Sequence, residues 1–187
     1  IIHVNPLPET GLVRFKHPQD YLRLSFRSTQ LADLHLQVRL NGDVAFLKGV
    51  MKFLLAEAAR SSGVMDHEFI AEHTQGFEEF AQALEGVGWE EILLGSGLSR
   101  EQIESAAQMI AAADSMIICW AMGLTQHQNG VANVQEIMNL LLLGGHIGRE
   151  GAGACPVRGH SNVQGDRTMG IWERPEPAFL DRLEQRF

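Results

Sequence analysis

The chain has 187 residues, 45% of them apolar, which suits one globular domain with an extension and excludes a disordered chain. Acidic residues outnumber basic ones by 23 to 15, for a net charge of −8; this argues against nucleic acid as a partner, since such a grip needs a basic field. No apolar run is long enough to span a bilayer, no secretory signal opens the chain, and two cysteines, Cys119 and Cys155, are too few for a disulfide framework, so a cytoplasmic setting is expected.

The chain starts "IIHVNP", without methionine and in mid-pattern for a buried strand, and is read as a piece of a longer protein. Asn5-Pro6 ends that strand, and a proline-punctuated polar stretch follows to about residue 30. "DLHLQVR" alternates as a second strand would. "NGD" then opens a helical run that Gly63 can stop. Asp66 can cap a short helix, "HEFIAEHT", and "FEEFAQALEGVG" predicts another.

"SREQIESAAQMIAAAD", residues 99–114, predicts a helix with Ser99 and Gln102 as a reciprocal cap and Ile103, Ala106, Ala107 and Ile110 as an apolar stripe. "SMIICWA" reads as a strand buried on both faces, with Cys119 as a small core residue. A polar turn, "MGLTQHQNG", leads into a long apolar helix over 131–144, with His146 capping its C-terminus. Residues 148–170 carry six glycines and read as a loop; the tail "PEPAFLDRLEQRF" predicts a closing helix. Alternating helices and buried strands imply an α/β fold, a three-layer Rossmann-like domain with a mostly parallel sheet over 1–147, then a glycine-rich cofactor loop and extension over 148–187.

In such sheets ligands sit at the carboxyl ends of strands. Three places qualify. Asn5 ends the first strand and is either a ribose contact or a strand-end turn. Gly123, before a helix whose N-terminal amides favour phosphate, marks the second, alongside Thr125, Gln126, His127 and Gln128. The third is the loop itself, where Arg158, His160, Asn162, Gln164 and Arg167 sit among glycines; it is either a mobile linker or a segment ordered by something bound to it. Cys155 could be a metal ligand, but no second cysteine or histidine stands at metal-ligand spacing near it, and the sequence holds no Walker loop, nucleophile elbow or G-x-G-x-x-G.

"WAMGLTQHQNG", an apolar helix, and "GGHIGREGAGACPVRGHSNVQGDRTMG" together resemble the molybdopterin-dependent oxidoreductases, and within them the formate dehydrogenase catalytic subunits. "ADLHLQVRLNGDVAFLKGV" is similar to a further element of that family, so the resemblance covers roughly residues 1–172. It implies molybdopterin guanine dinucleotide carrying molybdenum or tungsten. Met122, Gly123 and Gln126 match the turn against that cofactor, Asp43 a position near the guanine edge, and Asn5 a strand-end position near the nucleotide. Gly159, Asn162, Val163, Gln164 and Gly165 match the loop beside the pterin.

The resemblance also implies that Arg158 faces the metal and holds a substrate carboxylate, with His160 beside it where formate dehydrogenases carry glutamine. The implied substrate is a small oxyacid, oxidised or reduced by two electrons; the electron-transfer partner is not implied. In that family the metal-ligating cysteine or selenocysteine and the cysteines of a 4Fe–4S cluster come upstream of the matched part, so no metal ligand is expected in this chain. The central domain of a thiamine-diphosphate enzyme is a rival reading that does not account for "PVRGHSNVQGDRTMG". A non-catalytic domain that retains the fold is another.

Overall fold

The computed structural model describes residues 1–21 and 28–187. Residues 22–27, in the polar stretch expected to run to about residue 30, lie outside the described residues. Its described part holds a helical turn, α1 (Thr10–Val13), and a short antiparallel pair, β2 (Arg14–Phe15) with β3 (Thr29–Gln30). The two expected strands flank this stretch. β1 (Ile2–Val4) runs parallel to β4 (Leu34–Leu36), with Ile2 opposite Leu34 and His3 opposite His35.

The core is built around α2 (Asp43–Ala58). Its Phe46, Leu47, Val50, Met51 and Leu54 are buried, as the three- and four-residue spacing predicts. Against it pack α5 (Trp89–Ser96), α6 (Arg100–Ala111) and α8 (Gly130–Leu143), which bring Ile92, Ile103 and Ile137 into the same cluster. Each such side chain contributes about 1.5–3 kcal/mol relative to exposure. The helices meet closely at Gly49, where a Cβ would stand 2.8 Å from Ile92 Cγ2 and 3.0 Å from Ile103 Cγ2.

Between them, α3 (His67–His73) and α4 (Phe77–Gly86) stand where expected. The Asp66 carboxylate accepts from the Phe69 N–H at 2.9 Å. At α6, Ser99 and Gln102 form the expected reciprocal cap. The α5 helix escaped the sequence reading because it is only eight residues long and lies between Gly88 and Gly97, too short for a repeating apolar stripe, although Gly97, at φ +72°, marks its end.

Two strand expectations change. β5 (Ile117–Trp120) is paired with β6 (Gly153–Pro156), and the strands lie in three two-stranded sheets. β5 is not buried on both faces: Ile118 and Trp120 pack against the core, whereas Ile117 is 55% exposed. Cys119 shares the outer face, so it is exposed and not a core residue. Helices cover one side of this strand pair, which is why alternate residues of an all-apolar run differ in burial.

Ile1–Cys155 forms one compact unit and Pro156–Phe187 a second. Residues 148–155, grouped by sequence with the loop, therefore belong to the first unit. The stretch is also less irregular than its composition implies. β6 opens it, and in the second unit α9 (Val163–Thr168) follows, then α10 (Pro177–Arg186). Among the described residues no helix is long and apolar enough to cross a membrane.

Candidate functional site

The polar turn after β5 is shaped from behind. It contains the short helix α7 (Met122–Thr125), closed by the Gln126 N–H donating to the Met122 carbonyl at 2.9 Å. Asn133, on α8, is fully buried, and its amide Nδ2 donates to the Leu124 carbonyl at 2.7 Å while its Oδ1 accepts from Asn129 at 3.3 Å. Gly130 is buried against the same turn, where a Cβ would stand 2.5 Å from the Thr125 carbonyl oxygen. Sequence reading missed both residues. An asparagine within an apolar helix is the signal that could have found one of them, since a buried amide needs partners.

The front of the turn is open. Met122 is 56% exposed, and a Cβ at Gly123 would meet nothing within 4 Å. Packing within the unit therefore does not demand a glycine here; a close approach from outside would. His127 Nε2 lies 2.9 Å from the Gly123 carbonyl, and Gln126 Nε2 lies 3.4 Å from Met122 Sδ.

Asp43 begins α2 and is joined electrostatically to this turn. Burial pushes its carboxyl above the usual range, opposed first by its own backbone hydrogen bond and then by the neighbouring His127. The fold thus sets Asp43 within electrostatic reach of His127, which lies far from it in the chain. Asn5 is committed locally: its Nδ2 donates to Glu9 Oε2 at 3.1 Å, and its Oδ1 accepts from the Leu7 N–H at 3.3 Å. This is the turn chemistry that the sequence left open as the alternative to a ligand contact.

The remaining expected residues lie in the second unit. Arg158, Gly159 and His160 are exposed in the segment between β6 and α9. Asn162 precedes α9 without a side-chain cap, and Val163, Gln164 and Gly165 form its first turn. Among the described residues the side chains of Arg158 and His160 have no hydrogen-bond or ion-pair partner. Arg167, in contrast, is held by both carboxylate oxygens of Glu173 at 3.2 and 3.3 Å.

Several glycines and one histidine of the "GGHIGREG" segment are structural. Gly145, at φ +59°, follows α8, and the Gly145 and His146 N–H groups donate to Leu142 and Leu141, a Schellman ending. His146 is buried with Nδ1 2.8 Å from Arg149 Nη2, and Arg149 also donates to the Asp114 carbonyl at 2.7 Å. Burial, then Arg149, lower the His146 pKa, opposed by Asp66. Among the described residues no three His, Cys, Asp or Glu side chains cluster as a metal site. A cavity of about 170 Å³ between α2, α5 and α6, lined by Lys52, Glu57, Trp89 and Arg100, includes none of the expected site residues.

An open glycine turn, held by a buried amide and followed by a long helix, is a surface that a flat, polar cofactor could approach. The family model for molybdopterin oxidoreductase matches residues 22–170. Protein YdeP of Escherichia coli is 49% identical over the whole chain, which covers 25% of that protein. An uncharacterised oxidoreductase of Mycobacterium tuberculosis is 46% identical over the whole chain and 24% of its own length. Formate dehydrogenase H of Escherichia coli is 34% identical over 81% of this chain and 21% of its own length.

The chain therefore spans about a quarter of the curated relatives it matches. Acetylene hydratase from Pelobacter acetylenicus has the same fold, with a TM-score of 0.58 at 22% identity, over 64% of this chain and 16% of that one. The long glycine-rich motif, the α/β architecture and a family match over most of the sequence agree: the chain belongs to the molybdopterin oxidoreductases, a family that implies a molybdenum or tungsten pterin cofactor.

Proposed function

We propose that this chain is the part of an oxidoreductase catalytic subunit that seats molybdopterin guanine dinucleotide, with Met122, Gly123 and Gln126 against the cofactor and Asp43 toward the guanine. The observation that carries the reading is the Gly123 turn, uncrowded on its outer side and braced on its inner side by the buried Asn133. A glycine that its own fold does not need is explained by a ligand that passes close to the backbone. Asn5, Gly159, Asn162, Val163, Gln164 and Gly165 complete the proposed contacts. Asn5 would have to exchange its present partners for the ligand.

The cofactor, when bound, supplies the two-electron chemistry. This chain's own residues bind, orient and anchor. Arg158 is an exposed cation without a protein partner among the described residues, and its planar fork suits two parallel hydrogen bonds to an oxyacid. His160 is a neighbouring hydrogen-bonding group of either tautomer. The proposed substrate is therefore a small oxyacid. Formate leads through the resemblance to formate dehydrogenase, and His160 is the departure that makes another oxyacid the competitor. The metal ligand and a 4Fe–4S cluster are proposed to lie in parts of the polypeptide outside this chain, and the setting to be cytoplasmic.

The test is to measure metal and pterin per chain in the full-length polypeptide carrying Gly123→Val. The expected result is a folded protein depleted of cofactor. Full cofactor content would overturn the placement. If the wild-type polypeptide itself bound none, a non-catalytic domain that keeps the fold would replace this reading.

A further inference from the structure

The two cysteines, unremarkable when read one at a time, meet on the outer face of the β5–β6 pair. The Gly153 N–H donates to the Met116 carbonyl at 3.0 Å. A parallel ladder continuing from that bond sets Gly153 opposite Ile117 and, two residues along each strand on the same face, Cys155 opposite Cys119. In keeping with this register, the Cys155 side chain is a hydrogen-bonding neighbour of the Cys119 thiol. Both residues are exposed and carry free thiols. Paired strands lie about 4.7–4.9 Å apart, inside the Cα separation of roughly 4.4–6.8 Å that a disulfide spans. Among the described residues no third ligand stands with them, so the pair does not make a metal cage.

We propose that Cys119 and Cys155 form a reversible cross-strand dithiol, a redox modification site at which a hydroperoxide closes a disulfide between β5 and β6. Desolvation, then the adjacent Cys155, push the Cys119 thiol upward, which favours Cys155 as the sulfur that attacks first. In the first step the Cys155 thiolate breaks the peroxide O–O bond and forms an S–O bond. The product is a sulfenic acid, and the leaving oxygen departs as water or an alcohol. In the second, Cys119 sulfur attacks that sulfenic sulfur, the S–S bond forms, the S–O bond breaks and water leaves. The two thiols lose two electrons and two protons, and hydrogen peroxide is reduced to two waters. A thiol-class reductant reverses the closure by exchange. Each strand leads on to a proposed contact, Cys119 to Met122 and Cys155 to Arg158. The dithiol stands on strand geometry and does not depend on the cofactor reading.

The experiment uses the reduced full-length polypeptide, treated with hydrogen peroxide, alkylated and mapped by peptide mass spectrometry. The expected result is a peptide joining Cys119 to Cys155, with both alkylation sites lost together and both regained after dithiothreitol. In Cys119→Ser the linked peptide disappears and dimedone traps a sulfenic acid at Cys155. Two results overturn the proposal: both cysteines remain fully alkylatable after peroxide, or each oxidises on its own or only between molecules. The wild-type map decides the matter even if a serine variant fails to fold.

Discussion

Asn133 holds the Leu124 carbonyl at 2.7 Å from a position with no solvent exposure, so the candidate cofactor turn is anchored by an amide in the hydrophobic core. Replacing that amide strands the half-buried Leu124 carbonyl and the Asn129 side chain. Asn133→Leu is expected to cost about 1–3 kcal/mol of stability. It should also raise hydrogen exchange over residues 121–130 more than elsewhere. Denaturant unfolding and exchange mass spectrometry check it, and uniform exchange would show that Asn133 does not brace the turn.

Gly130 and Gly123 should respond oppositely to alanine. At Gly130 a methyl group meets backbone, the Thr125 carbonyl, at 2.5 Å, so Gly130→Ala is expected to lose about 1–3 kcal/mol. At Gly123 nothing lies within 4 Å, and Gly123→Ala should stay within about 0.5 kcal/mol of wild type. Unfolding midpoints of the two variants are the measurement. Equal losses would mean that Gly123 is required by the fold itself.

Arg158 is predicted to act on substrate and not on cofactor content. Lysine keeps the charge and loses the fork, so Arg158→Lys should impair turnover and Arg158→Ala impair it more. Losing a charge-assisted hydrogen bond of this kind costs about 2–4 kcal/mol, a fall in kcat/KM on the order of 10²–10³ for the alanine variant. Metal and pterin per chain are measured alongside kcat/KM on the candidate oxyacids. A near-normal kcat/KM for Arg158→Ala removes Arg158 as the anchor, and loss of cofactor makes its role structural.

Acid should weaken the fold through two histidines held neutral. His3 and His146 both have pKa values lowered from the ordinary 6.5, in each case chiefly by burial; His35 adds to the effect at His3, and Arg149 at His146. Glu9 opposes the shift at the first and Asp66 at the second. A lowered histidine binds its proton more readily unfolded than folded. Its contribution is therefore intact above about pH 6.5 and is lost as pH falls toward the folded value. The melting temperature should drop on acidification through this range. His3→Gln/His146→Gln should flatten that limb whatever its stability at neutral pH, and an unchanged slope would count against the assignment.

The sequence by itself determined the longer helices and two of their caps. α2, α6 and α8 follow from apolar spacing, and the Asp66 and Ser99 caps from residues whose partners are three positions away. It also carried the family, because the run from Met122 to Gly170 is a contiguous motif. What only tertiary structure decided was which distant residues meet. The pairing of β5 with β6 brings Cys119 beside Cys155, α8 places Asn133 behind Leu124, and α2 sets Asp43 near His127. It also exposed one face of a strand whose apolar run reads as buried on both. Spacing along a chain encodes contacts within an element. Contacts between elements depend on which faces the core covers, and burial is a property of that packing rather than of any one residue.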